Sequence, residues 1–395
     1  MKTLICGAGI AGLTLAWHLE RSGWDVELVE RAARFRDGGY LIDFYGPGLE
    51  VAERMGLRGR LEAQSYTIEG LTYRDERGRA SSRLDMPGDF AQLISLLRGD
   101  LAAAVLSDVR APIRYGTSVA AVEERADGVT VTLTDGSRRE VDLLVGADGA
   151  HSRVRDLVFG REEEFVRYLG HHIAVFLLTD KALNAAIGRR YQALTVPGRS
   201  AGAYALRDDA LATMFLRREP DPALPVDPAE SLRRHFGELG WLVPGLLAHC
   251  PDDPAEIFYD QVVQIEMDRW SRGRVVLLGD ACQAVSLFAG HGSSVAMAAA
   301  WVLADELRGA GDRLSTALAA YEDRMRPTIE RTQALGRRVV DWMAPSTRWR
   351  IGVRDGLLRL ATLPGISRLL LNSLTPGTHS LAGRRPTELR DLAKH

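Results

Sequence analysis

At 395 residues the chain is long enough for two or three domains or one elaborate one, and its 46 % hydrophobic content is that of an ordinary globular protein. A formal net charge of −2, with basic residues that are almost all arginine and spread among 52 acids, excludes a field favouring nucleic acid or an anionic membrane surface. Cys6, Cys250 and Cys282 stand too far apart for a metal site or a disulfide framework, so a reducing cytoplasm is expected.

The first element is Lys2-Thr3-Leu4-Ile5-Cys6, an apolar strand. Gly7-Ala8-Gly9-Ile10-Ala11-Gly12 follows at once, then a helix to Gly23, then Val26–Val29 and the acidic Glu30. Strand, Gly-x-Gly-x-x-Gly, helix, strand, acid is the spacing of a dinucleotide-binding βαβ unit. Gly7 permits the tight turn, Gly9 lets backbone amides approach a pyrophosphate, and Gly12 lets the helix sit close to the sheet. The helix N-terminus offers free N–H groups to phosphates, and Glu30 would accept from a ribose. The apolar run from Leu4 to Trp17 also imitates a secretory leader. Its three glycines and the lack of a small-residue cleavage site favour the nucleotide reading. No stretch of the chain has the roughly 20 apolar residues that span a bilayer.

Beyond Glu30 come a loop holding Gly38-Gly39, a strand Tyr40–Phe44 and a helix Gly48–Met55. Short strands follow from Ile68 to Leu84. Leu93, Leu96, Leu97, Leu101, Ala104 and Val105 fall at helical spacing, predicting one helix over Phe90–Leu106 with Arg98 beside the stripe. Residues 113–145 read as strands, with tight turns at Asp127-Gly128 and Asp135-Gly136. From Arg167 to Phe215 the pattern is again β-rich, with a helical insert at Lys181–Ile187. Helices at Pro228–Gly237 and Trp241–His249, a strand pair in Ile257–Met267 and a strand Val275–Leu278 follow. Gly292–Leu307, Leu314–Leu335 and much of the tail from Asp341 read as helix. Nucleotide-type segments thus flank a β-rich stretch, as in a discontinuous domain with a second domain inserted.

Two more constellations carry chemistry. In Asp142–Arg155 an apolar strand ends in Gly146-Ala147-Asp148-Gly149, followed by a helix with Arg153 and Arg155. Asp148 stands where parallel sheets bind ligands, outside a strand's carboxyl end; alternatively this is a structural turn with Ser152 as a local cap. In Gly273–Ala281 a strand again ends in Gly279-Asp280, and Gly290-His291-Gly292-Ser293 then delivers a helix N-terminus whose dipole suits a negatively charged ring.

These three motifs, in this order over roughly residues 1–335, resemble the class A FAD-dependent aromatic hydroxylases, the shorter tetracycline-inactivating and antibiotic-tailoring monooxygenases above all. The resemblance implies an α/β (α+β overall) fold: a Rossmann-like FAD-binding domain (1–70, 90–165 and 268–335), an inserted β-sheet substrate domain (71–89 and 166–267) and a C-terminal helical segment (336–395). It implies that Gly7, Gly9, Ala11 and Gly12 hold the FAD pyrophosphate, Glu30 the ribose and Arg31 the adenine side. Arg98, Asp148, Arg155 and Asp280 would handle the rest of FAD. Arg36, Gly38, Gly39, Gly290, Gly292 and Ser293 would border the flavin ring. The sequence departs from the family's pattern in having Leu287 where a proline is common and Gln283 where a histidine is.

The activity implied is NAD(P)H-driven insertion of one oxygen of O2 into an aromatic or polyketide-like molecule through a flavin C4a-hydroperoxide. His291 is a candidate acid–base group, and the Leu287 backbone a candidate wall of the oxygen site. The inserted sheet would roof the flavin. Tyr191, Gln192, Tyr204, Arg207, Met214 and Phe215 on it, and Phe288 in the turn, are the candidate substrate contacts. No metal, nucleic acid or integral membrane partner is expected, and the chain is read as a monomer or homodimer. The rival readings are an FAD-containing binding protein without activity and an epoxidase or isoprenoid oxidoreductase on the same fold. None of the seven tryptophans sits in the halogenase Trp-x-Trp-x-Ile-Pro motif, and no second Gly-x-Gly-x-x-Gly provides a separate NAD(P)H domain.

Overall fold

In the computed structural model, which describes residues 1–35, 39–85, 93–125, 127–286, 292–308, 310 and 313–361, Lys2–Cys6 is a strand buried after its first residue. An apolar run without alternation needs parallel neighbours and helices over both faces. It pairs in parallel with Asp25–Glu30 on one side and Leu143–Gly146 on the other. Ile113–Tyr115 extends the sheet beyond the former and Val275–Leu277 beyond the latter, with Ser271–Arg272 as an antiparallel edge. Three neighbouring strands therefore end together, Cys6 opposite Gly146 and Gly146 opposite Leu277. One continuous apolar core joins this sheet to helices Ile10–Arg21, Gly292–Arg308 and the first half of Leu314–Met343.

The second sheet runs Phe258–Ile265, Val166–Val175, Ala210–Arg218, Arg199–Ala205, Tyr191–Val196, Gly70–Arg74, Ala80–Asp85, with Leu177–Thr179 paired beside it on Ala210–Arg218. Its side chains alternate between two faces. Phe176, Leu194 and Phe215 lie on one, covered by helices Pro228–Phe236 and Val243–Ala248. Ile173, Val175, Met214 and Val262 lie on the other and look towards the glycine turns of the first sheet. Helix Arg348–Ala361 docks at the far end of this sheet through the buried Arg354. Its guanidinium bonds Asp355 and stands 3.6 Å over the Tyr73 ring.

Three expectations are corrected. Phe90–Leu106 is not one helix: Ile94–Leu97 is a strand and the helix begins at Arg98. Ile94–Leu97 pairs antiparallel with Leu41–Phe44, and a short apolar run cannot be told from a buried helix by period alone. Ile257–Met267 holds one strand, Phe258–Ile265, rather than a pair. The last long helix continues past Leu335 to Met343 with Pro327 inside it, so the expected boundary at residue 336 falls within a helix. Among the described residues no helix is long and apolar enough to cross a membrane, and no group of His, Cys, Asp and Glu could hold a metal.

Candidate functional site

Gly7 turns the chain at φ +108°, and a β-carbon there would lie 2.3 Å from the Ala147 carbonyl oxygen. A β-carbon on Gly12 would lie 2.0 Å from the Gly7 oxygen, and one on Gly279 2.8 Å from the Ala11 methyl. All three motifs therefore touch, and each contact admits only glycine. Glu30 organises the first turn: its carboxylate accepts from the Ala8 N–H at 2.9 Å and the Ala32 N–H at 2.8 Å. Arg31 is exposed beside it. The Arg98 guanidinium stands over Gly9, and the Arg98 N–H donates to the Tyr40 carbonyl at 3.0 Å. Gly39, at φ +142°, packs on the Arg98 side chain.

Asp148 is a local cap. It accepts from the Ser152 hydroxyl at 2.5 Å and from the N–H groups of Arg153 and Val154 at 2.7 and 3.1 Å. Burial raises its carboxyl above the ordinary range and these bonds oppose the rise. Arg155 is wholly buried and ties motif to motif: it donates to the carbonyls of Ala150 at 2.7 Å and Ala281 at 2.8 Å. With no exposed surface, it holds the site together from behind instead of touching a ligand.

A cavity of about 340 Å³ lies between the glycine turns and the second sheet. Asp280, Ala150, Ser286, Gly292 and Ser293 line it on the first side, and Ile173, Val175, Tyr204, Met214 and Val262 on the other. The Asp280 side chain is exposed to this space, yet the enclosing walls raise its carboxyl while Arg98 draws it back down. Gly292 opens helix Gly292–Arg308 at the cavity. Ser294 anchors that helix start, donating to the Tyr45 carbonyl at 2.6 Å and accepting from the Gly48 N–H at 2.9 Å.

Of the expected substrate contacts, Tyr204 and Met214 line the cavity. Gln192 does not. It faces the outer side of the sheet, accepting from Arg74 at 2.7 Å and donating to the Ile187 carbonyl at 2.6 Å. Phe215 also faces outward, against Phe176 and Phe236. Tyr191 does not line the cavity either: it packs on Tyr204 with the rings tilted and their centroids 4.5 Å apart. Arg207 is exposed and donates to the Ser65 carbonyl at 2.6 Å, away from the cavity. Arg36, Gly38, Leu287, Phe288, Gly290 and His291 lie outside the described residues. Sequence reasoning missed Asp43, Asp260 and Met343, which also line the cavity; the signal for Asp43 was an acid inside the apolar strand Leu41–Phe44.

Residues 1–178 and 251–335 match the sequence profile of the family described as "FAD binding domain". Over 344 residues the chain is 30 % identical to a flavin-dependent monooxygenase from an unknown prokaryotic organism, covering 85 % of this chain and 88 % of that one. The chain belongs to the class A FAD-dependent monooxygenases. A second relative of this monooxygenase, an uncharacterized protein of Mycobacterium tuberculosis, is 37 % identical over 350 residues, covering 85 % and 92 % of the two chains. The crystal structure of the tetracycline destructase Tet(55) matches its fold with a TM-score of 0.79 at 28 % identity, covering 96 % of this chain and 97 % of that one.

The monooxygenase holds the segment 284–286, which lines the cavity, by a buried amide pair. Gln333, on the long helix, donates to the carbonyls of Ile265 at 2.8 Å and Ala284 at 3.1 Å. Gln264, on the second sheet, donates to those of Val285 at 3.1 Å and Gln333 at 2.8 Å. Gln283 donates to the Tyr321 hydroxyl at 2.7 Å, which in turn donates to the Leu277 carbonyl. In this chain the glutamine thus ties the Gly279-Asp280 turn to the long helix.

Proposed function

We propose that FAD lies across the ends of the three motif strands, with its ring in the cavity, and that the enzyme uses NAD(P)H and O2 to hydroxylate an aromatic or polyketide-like small molecule there. The observation that carries this reading is the mutual contact of the three glycine turns beside a cavity that Ala150, Asp280 and Gly292 line on one side and Ile173, Val175, Met214 and Val262 on the other. The residues fit the cofactor. The tight Gly7 turn and the start of helix Ile10–Arg21 leave N–H groups for a pyrophosphate. Glu30 suits the ribose once it releases the Ala8 N–H. Asp280 and Arg98, one on either side of the turn, suit the ribityl chain and the phosphates.

FAD, when bound, supplies the redox chemistry: hydride acceptance from NAD(P)H and delivery of one oxygen atom from O2. The chain's own residues bind, orient and shield. Gly292 and Ser293 direct the N-terminus of a 17-residue helix at the cavity, where its partial positive charge stabilises an anionic ring edge. Ile173, Val175, Met214 and Val262 exclude water from the reacting face. Arg155 acts one step back, by fixing the two later turns against each other, and Asp148 by capping the helix start of its own turn. The likeness to Tet(55), a tetracycline destructase, supports a bulky aromatic substrate here. The three buried free thiols suit a reducing cytoplasm.

The test is direct. Purified protein should carry one FAD per chain, and NADH or NADPH should be consumed faster when a suitable aromatic compound is added. A flavin-free protein that takes up no FAD overturns the reading; a flavoprotein that consumes no NAD(P)H with any aromatic compound favours a binding protein.

A further inference from the structure

Strand Leu41–Phe44 brings a carboxylate into the cavity. Ile42 and Asp43 line it, as do Ile173, Val175, Met214 and Met343. Asp43 is exposed to this space, and Ser95, its partner across the two-stranded ribbon, donates to Oδ1 at 2.6 Å. That bond sets the direction of the carboxyl without neutralising it. The hydroxyls of Tyr45 and Tyr204 lie within its field: both phenols are kept protonated by burial first and by Asp43 second. Enclosure also pushes the Asp43 carboxyl above the ordinary aspartate value, against the pull of Ser95, which makes it a stronger acceptor than a surface aspartate.

An aspartate between isoleucine and phenylalanine adds nothing to packing, and a carboxylate enclosed in a cavity is costly unless further donors join the Ser95 hydroxyl that meets Oδ1. We propose that Asp43 determines substrate choice: it accepts a hydrogen bond from a phenolic or enolic O–H of an aromatic substrate whose rings lie along the Ile173–Met214 wall. The inference rests on the substrate cavity of the preceding section. An O–H···O⁻ bond is short and roughly twice as strong as a neutral one. A site built around such a bond rejects the analogue that lacks the donor, because the carboxylate then keeps Ser95 alone as its partner. The same bond raises electron density in the ring, which suits attack by an electrophilic oxygen.

The test uses the FAD-loaded protein and two probes of nearly equal shape, a naphthol and its methyl ether. Binding is read from the change in the visible flavin spectrum, in the wild type and in Asp43→Asn, which keeps an acceptor for Ser95. The wild type should bind the naphthol about tenfold more tightly than the ether, and Asp43→Asn should lose about tenfold for the naphthol with the ether unchanged. FAD content should be equal in both proteins. A wild type without preference for the naphthol, or a variant that keeps the preference, overturns the proposal. Loss of FAD from Asp43→Asn also overturns it, because Asp43 would then serve the cofactor. A wild type that takes up no FAD overturns the cavity reading itself, and this inference with it.

Discussion

The carbonyl oxygen of Ala147 occupies the place a β-carbon on Gly7 would need, 2.3 Å away. The first and second motifs are thereby one structure, although 140 residues separate them (from Gly7 to Ala147). Gly7→Ala must open this contact and also force alanine to φ +108°. FAD affinity should fall at least about tenfold, with a stability loss on the order of 2 kcal/mol. Flavin content after gel filtration and a denaturant melt measure the two effects.

Arg155→Met should separate structure from chemistry. The methionine fills much of the volume but leaves the Ala150 and Ala281 carbonyls without their donor. The expected cost is about 3 kcal/mol, from two charge-assisted bonds lost in the interior. Activity per bound flavin should drop less than the amount of flavin retained. A variant as stable as the wild type would show that the tie between the two turns is dispensable.

Gln333→Leu removes the donors to Ile265 and Ala284, leaving two buried carbonyls under-satisfied. The loss expected is about 2 kcal/mol, read as a lower denaturation midpoint with unchanged slope.

How much of this was legible in the sequence follows from what each residue depends on. Gly7, Gly146 and Gly279 were legible because each ends an apolar strand, and parallel strands with such turns line up. Asp148 could be read either way, since a cap and a ligand contact both need an acid at a helix start; the bonds from Ser152, Arg153 and Val154 are those of a cap. Gln192 and Tyr191 are adjacent, and which of two alternating residues faces a cavity depends on sheet register, which no local signal carries. Leu96 and Leu97 matched a helical stripe, but pairing with Leu41–Phe44 made them strand. The roles of Gln264 and Gln333 appear only once a helix and a sheet distant in sequence meet.

Two histidines give opposite pH dependences. His18 is buried beside Arg308, Arg21 and Arg54, and burial first, then these charges, lower its pKa from 6.5 to about 4. Its neutral form is the folded one, so its contribution is complete above 6.5 and is lost as pH falls towards 4, a change on the order of 3 kcal/mol. His18→Leu should flatten the acid limb of a stability–pH curve. His151 bridges Asp260 and Glu162, and these bonds, Asp260 first, raise its pKa to about 9. Its contribution is present below 6.5 and lost as pH rises through 9. With 42 % of its side chain exposed, solvent screens that pair, so His151→Ala should cost little, and only on the acid side of the transition.

The most direct measurement is anaerobic mixing of the FAD-loaded protein with NADPH or NADH while following the visible flavin absorption. The colour should bleach, faster with a bound phenolic compound, and admitting O2 should restore it. A flavin that stays oxidised with both nicotinamides, with and without aromatic ligands, would contradict a monooxygenase working at this cavity.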